Sequence, residues 1–333
     1  MREEILFTVD APYRHSLPVK GWYFGDPGKK SLAVMGALRG NEIQQMYVCS
    51  LLVQSLKELE QKGLLAPDAG ILVVPCANQF SMNVGRRFWA ADNTDINRMF
   101  PGYGQGETTQ RIAARIFAAI QDYSYGVHLT SFHLPGDHLS HVRIMATGYE
   151  QAEEGLAFGL PYVVVRQPQP YDTTTLNYNW QIWNAKAFSL YTPETEEINP
   201  NTARQAVQAV LRFLCAKGLC RQEIPSSGVT PEIFRESCLH NILSSSGGLL
   251  LRSRAPGDVV KPGQILADIL DPCCGQFLEH LRSDCTGRVF FARKSRLIDG
   301  HEVAFRILPD AQCRGALSAE QGTEEGPAAG ARA

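Results

Sequence analysis

The stretch SLAVMGALRGNEIQQMY, Ser31 to Tyr47, decides the fold. Its first seven residues form a near-continuous apolar run, the composition of a strand buried on both faces of a sheet. A turn follows at Arg39-Gly40. Beyond it the apolar residues Ile43, Met46, Val48, Leu51, Leu52 and Leu56 recur at helical spacing, and Gly63 suits the helix stop. A buried strand running through a tight turn into a helix is the opening of an α/β unit. Turns at the carboxyl end of such strands often carry function.

The same alternation continues outward. EILFTVD and VKGWYF read as early strands, GILVVPCAN (Gly70–Asn78) as a second buried strand, and ETTQRIAARIFAAIQDY (Glu107–Tyr123) as an amphipathic helix. GVHLTSF, HVRIMAT, PYVVVR and AFSLYT (Ala187–Thr192) read as further strands, and TARQAVQAVLRFLCAKG as a third helix. Strands alternating with helices predict an α/β domain with a mainly parallel sheet over residues 1–226. After Ser226 the texture changes to short alternating runs split by Gly, Pro and Asp. That is the pattern of a small all-β module, read here over residues 227–312. The small, polar residues 313–333 are expected to be disordered.

Bulk composition excludes several classes. The chain of 333 residues carries 32 basic and 34 acidic side chains, a net charge of -2 that offers nucleic acid no basic surface. No window reaches the roughly 20 apolar residues that cross a bilayer. The N-terminus MREEILFTVD lacks the long apolar core of a signal peptide. The expectation is a cytoplasmic protein with no nucleic-acid or membrane partner. The nine cysteines are scattered without C-x-x-C spacing, so neither a disulfide framework nor a zinc knuckle is indicated.

The densest chemistry lies in NQFSMNVGRRFWAADNTDINRMFPGY, Asn78 to Tyr103, which has no obvious helix. Loops of that length in compact domains are usually functional or disordered, and the aromatic residues Phe88 and Trp89 argue for order. Asp95, Asn97 and Arg98 stand close together. Arg holds carboxylates in a planar fork and Asn adds a donor. Equally, Asp95 and Arg98 could pair and simply pin the loop. The segment Pro168–Phe188, rich in Tyr, Trp, Asn and Thr, suits either a pocket wall or an ordered loop over the sheet. Its candidates for ligand contact are Tyr171, Asn177, Tyr178 and Trp180.

GALRGNE, NQFSMNVGRRFW, DINRMFPG, GVHLTSF and AFSLYT, in that order, resemble the succinylglutamate desuccinylase/aspartoacylase family of zinc-carboxypeptidase-like hydrolases. The C-terminal part resembles that family's barrel-sandwich β-domain. DINRMFPG is the most specific piece, and the resemblance covers nearly the whole chain except the last twenty residues. It implies a mainly parallel mixed sheet flanked by helices, and a zinc-dependent hydrolase that removes an acyl group from an amino acid or related amide. Zinc would polarise the scissile carbonyl and acidify a water, a Glu would take the proton, and Arg and Asn would hold charge and carboxylate.

The transfer onto this chain is uneven. The family's His-Gly-x-Glu reads Arg39-Gly40-Asn41-Glu42 here, so Glu42 fits a metal ligand while its His partner is replaced. His128 fits the third ligand, with Gly126 standing where an Asp usually precedes it. The oxyanion Arg falls on Arg87, with Arg86 as the alternative register. The carboxylate-binding pair falls on Asn97 and Arg98. The catalytic Glu position holds Tyr191, with Glu194 three residues on.

Arg cannot ligate zinc, and a guanidinium about 4 Å from a divalent ion would repel it by several kcal/mol. Three outcomes stay open. The metal is kept with substitute ligands from HLTSFHLPGDHLSH, which holds His128, His133, Asp137, His138 and His141; a bend at LPGD favours the return of His138 or His141 over His133. Or the metal is gone, Arg39 pairs with Glu42 or reaches across the pocket, and a carboxylated ligand is bound without turnover. Or a metal-free catalyst uses Arg39 as electrophile, Glu42 as base and Tyr191 as acid. The expectation adopted is a metal-dependent amide hydrolase of a small carboxylate-bearing substrate. Arg87, Tyr191 and Glu194 are its catalytic candidates, Arg39, Asn97, Arg98 and Tyr178 its substrate contacts, and Glu42 and His128 its zinc ligands. A non-catalytic binding protein is the alternative. The β-module, which lacks a carrier's Met-Lys-Met tip, suits capping or homo-oligomerisation.

Overall fold

The structure, a computed structural model, describes residues 1–11, 13–132 and 134–310. The tail read as disordered, Cys313 and His133 lie outside the described residues. The chain divides into two units: Met1–Ser131 with Ser140–Phe234, and Phe132–Leu139 with Arg235 onward.

In chain order the first unit contains β1 (Arg2–Ala11), β2 (Arg14–Gly25), β3 (Leu32–Ala37), α1 (Ile43–Gln61), β4 (Gly70–Cys76), α2 (Gln79–Asn83), α3 (Thr108–Ile120) and β5 (Tyr125–Thr130). A three-residue strand, β6 (Gly136–His138), belongs to the second unit. The first unit resumes with β7 (His141–Met145), β8 (Tyr162–Arg166), α4 (Leu176–Ile182), β9 (Lys186–Tyr191) and α5 (Pro200–Ala216), and β10 (Glu232–Arg235) closes it. The strands form one nine-stranded sheet, ordered β1-β2-β4-β3-β5-β9-β7-β8-β10. Its centre, β4-β3-β5-β9, is parallel, while β1, β2 and β7 join antiparallel, so the sheet is mixed.

Period-two alternation sorts the strand side chains between two cores. Leu32, Val34, Ile71, Val73, Val127 and Leu129 pack with α1 and α5. Ala33, Met35, Leu72 and Val74 pack with α3 and α4. The chain leaves β3 through α1 to β4 on one side, then returns through α3 to β5 on the other. The strand order therefore reverses at β3. A crevice opens at such a reversal beyond the carboxyl ends of the strands.

Three local readings change. Residues 232–235 add the edge strand β10, so the first unit ends at Phe234 rather than at 226. The buried stripe of α1 begins with Gln44 and Gln45, while Ile43, Met46 and Leu51 are half-buried. The two amides reach the segment after β9: Gln44 Nε2 donates to the Asn199 carbonyl and Gln45 Nε2 to the Glu194 carbonyl. The 168–188 segment is not a plain loop. It contains α4, whose Trp180 is fully buried and donates from Nε1 to the Ile120 carbonyl.

The second unit is all-β. Strands His240–Leu243, Val303–Pro309, Gly287–Arg293 and Val259–Val260 make one sheet, to which β6 adds. Phe277–Arg282, Ile265–Leu270, Gly248–Arg252 and Leu297–Ile298 make the other. Their apolar faces share a core around Leu250, Leu266, Ile269, Phe305 and Ile307.

Gly126 on β5 is fixed by packing. A Cβ there would lie 2.7 Å from the Trp180 ring. Gly126→Val is expected to destabilise the protein by about 3 kcal/mol through overpacking. Urea denaturation followed by circular dichroism checks this.

Candidate active site

The β3–α1 turn brings a buried cation and a buried carboxylate together. Glu42 is the N-cap residue of α1, and its carboxylate folds back over the turn. Oε2 accepts from the Leu38 and Arg39 backbone N–H groups, both at 3.0 Å. Oε1 accepts from Ser131 N at 3.0 Å, Ser131 Oγ at 2.7 Å and Arg39 Nη1 at 3.2 Å. Burial would raise the Glu42 pKa; the Arg39 cation and these donors reverse the effect and hold it below the ordinary carboxylate value.

Arg39 is 5% exposed and has a second carboxylate partner. Nε and Nη2 grip Asp95 in a fork, with Nη2 to Oδ2 at 2.9 Å, and Nη1 also reaches Thr130 Oγ1 at 3.4 Å. Burial alone would lower the Arg39 pKa, but Asp95 and Glu42 raise it overall. The turn can approach so closely because residue 40 is glycine. Its N–H donates to the Arg87 carbonyl, and a Cβ would stand 2.3 Å from the Arg86 carbonyl oxygen.

Sheet register sets the neighbouring surface. Met35, His128, Ser189 and Arg143 are paired side by side across β3, β5, β9 and β7, and Thr130, Tyr191 and His141 follow two residues on. Paired residues share a face, here the face covered by α4. His128 is 1% exposed, and burial pulls its pKa down to about 4 against the upward pull of Glu42. Its Nε2 has no hydrogen-bond partner in the protein. Tyr191 stacks on His141 at 4.7 Å, and its hydroxyl accepts from Arg143 Nη1 at 3.1 Å.

The other candidates divide. Arg87 is half-buried beside the cluster; burial and the Arg39 cation hold its pKa below the usual guanidinium value. Arg86 is exposed and donates to the Ala90 carbonyl. Asn97 Oδ1 accepts from Leu176 N, which ties the loop to α4. Arg98 does not pair with Asp95. It donates to the Tyr171 carbonyl and faces Asp172 at 3.5 Å, a carboxylate also held by Arg166. Tyr171 is exposed against Arg98, and Tyr178 is half-buried. Glu194 is committed elsewhere: Oε1 accepts from Asn199 Nδ2 and Oε2 from Thr202 Oγ1, at the start of α5. The histidine-rich window is split between the units, and Asp137 is taken by Arg252. Sequence reasoning offers Asp95 only as a partner of Arg98 and Ser131 not at all, because nothing in the sequence links either to Arg39 or Glu42.

The donors present do not fit zinc. Both Glu42 oxygens are engaged by Arg39, Ser131 and the turn backbone, and the position beside Glu42 is a permanent cation. Gly126 carries no ligand and lies under Trp180. Among the described residues no group of three His, Cys, Asp or Glu side chains could hold a metal ion.

Residues 28–216, more than half of the chain, match the model of the succinylglutamate desuccinylase/aspartoacylase catalytic domain. The chain belongs to this family. It is 26% identical over 249 residues to the N-alpha-acetyl-L-2,4-diaminobutyric acid deacetylase of Halomonas elongata, covering 71% of this chain and 69% of that protein. The fold is shared with the product-bound ectoine utilization protein of Ruegeria pomeroyi (TM-score 0.74, 17% identity, 88% of this chain and 89% of that one). It is shared too with a succinylglutamate desuccinylase from Silicibacter sp. TM1040 (TM-score 0.75, 16% identity, 90% and 91% covered). Family and relative carry the names of deacylases.

Two predictions follow from the buried polar groups. Arg39→Met leaves the buried Glu42 and the half-buried Asp95 without their cation, and is expected to cost about 3–5 kcal/mol in chemical denaturation. Asn177, 2% exposed, has no protein partner at either end of its amide, whereas Asn179 Nδ2 donates to the Phe100, Thr173 and Thr175 carbonyls. Asn177→Leu should therefore be neutral or stabilising by up to about 1 kcal/mol, while Asn179→Leu should cost about 2–3 kcal/mol. Parallel urea titrations of the two variants check the contrast.

Proposed function

We propose that the chain acts on the amide bond of an N-acyl amino acid, or a similar small carboxylate-bearing molecule, held in the crevice beyond the carboxyl ends of β3, β5 and β9. The observation that carries this reading is that the family match spans the turn and loop that gather Arg39, Glu42, Asp95 and Arg87. The deacetylase relative is named for an N-acetylated amino acid, a ligand with one amide and a free carboxylate. In this reading Arg87 is the group whose N–H donors would stabilise negative charge developing on a carbonyl oxygen. The unpartnered Asn177 amide offers one donor group and one acceptor on the α4 side.

Metal dependence, which the resemblance implies, is not part of this reading, since the donors do not fit zinc. One observation favours a second reading, binding without turnover. Glu42 and Asp95 both serve as counter-ions to Arg39, so neither is left as a ready general base.

Nα-acetyl-L-2,4-diaminobutyrate and N-succinyl-L-glutamate separate the two. The full chain should bind at least one of them in calorimetry and release free amine, with release lost in Arg87→Met. Binding heat without amine release would support the second reading. Neither binding nor release with either compound would count against both.

A further inference from the structure

We infer that the Arg39 guanidinium takes the place of a metal ion in this crevice, so that the positive charge of the site is part of the chain. The inference holds whether a bound ligand is cleaved or only retained.

Three independent features converge on it. The first is charge and position. Glu42, the one acidic residue of the turn, directs Oε1 at Arg39 Nη1, and Asp95 closes the other edge of the same guanidinium in a bidentate fork. A buried carboxylate and a half-buried one need a cation between them, and arginine supplies one that neither dissociates nor titrates in the working range. The second is the imidazole. His128 is buried and lies within electrostatic reach of Glu42, Arg39 and Asp95, yet Nε2 meets no protein donor or acceptor. No Arg39 N–H is directed at this nitrogen, and a guanidinium has no vacant orbital to receive its lone pair as a metal would, so Nε2 stays unanswered. The third is the neighbouring position on β5. Residue 126 is a glycine with the Trp180 ring packed against it, so no carboxylate stands behind His128 on that strand.

Chemically the exchange matters. The guanidinium has five N–H groups. Nε is directed at Asp95, the two Nη1 hydrogens are matched by Glu42 and Thr130, and Nη2 meets Asp95 with one of its pair. The remaining Nη2 hydrogen is the group this cation can offer to a ligand oxygen. It is a directional donor, not a Lewis acid with exchangeable coordination. The chemical class that fits is an anionic or carbonyl oxygen of an organic ligand. A divalent cation does not fit.

Zinc content of the full, tag-free chain tests this. The wild-type protein, incubated with zinc and then desalted, is expected to carry only background metal by plasma mass spectrometry, and its melting temperature should not move on adding zinc or EDTA. Arg39→His is expected to take up near-stoichiometric zinc, lost again when His128→Ala is added. Near-stoichiometric zinc in the wild-type protein, removed by His128→Ala, would overturn the inference. So would a folded Arg39→His protein that binds no zinc. Should Arg39→His fail to fold, the wild-type metal content and its EDTA response decide the question alone: background zinc and no response support the inference, and the opposite result defeats it.

Discussion

The buried ion pair between Arg39 and Glu42 is the constraint on which the rest of the site depends. Both groups are out of water, and each would be costly alone. Their proximity is set by the β3–α1 turn, where the Glu42 carboxylate also satisfies two backbone N–H groups. Asp95 extends the pair across the crevice and caps the short helical turn that carries Asn97 and Arg98. Ser131 at the end of β5 completes it. One guanidinium thus joins the central strand, its neighbour and the long loop after β4. Whatever the loop presents to a ligand is held in register by that charge.

The sheet supplies a rigid platform for this arrangement. Its central strands are buried on both faces, and the strand order reverses at β3, the kind of point at which α/β sheets form a crevice beyond the carboxyl ends of their strands. On the α4 face a row of polar side chains, His128, Ser189 and Arg143, runs across three strands where an ordinary core would be apolar. Such a row inside a domain is expensive unless its members are paired or serve a ligand. Arg143 is paired with the Tyr191 hydroxyl, while His128 Nε2 and the Asn177 amide are among the buried polar groups that the protein does not answer.

Much of the fold was legible because hydrophobic period and strand composition agreed. The buried strands β3 and β4 and the helices α3 and α5 fall where periodicity puts them. α4 was not legible, because its buried positions include Asn177, Asn179 and Gln181, so it shows no apolar stripe. The start of α1 misled for the same reason: Gln44 and Gln45 are buried by hydrogen bonds from their side-chain amides to a segment 149–155 residues away in sequence. At the site, the substitution of Arg39 and its closeness to Glu42 could be read from the turn. The partnership of Arg39 with Asp95 could not, and proximity in sequence pointed to Arg98 instead. Ion pairs between distant loops leave no local pattern. The same holds for β6, whose three residues join a sheet built mainly from the C-terminal part of the chain.

On the inference drawn above, a guanidinium and no metal neutralises Glu42. Crystals grown with zinc, measured on both sides of the zinc absorption edge, test it most directly. The prediction is an anomalous difference map with no peak between Glu42 and His128, and continuous density for Arg39 reaching Glu42 and Asp95. A strong peak about 2.0–2.2 Å from Glu42 oxygen and His128 nitrogen, with Arg39 displaced from both carboxylates, would contradict it.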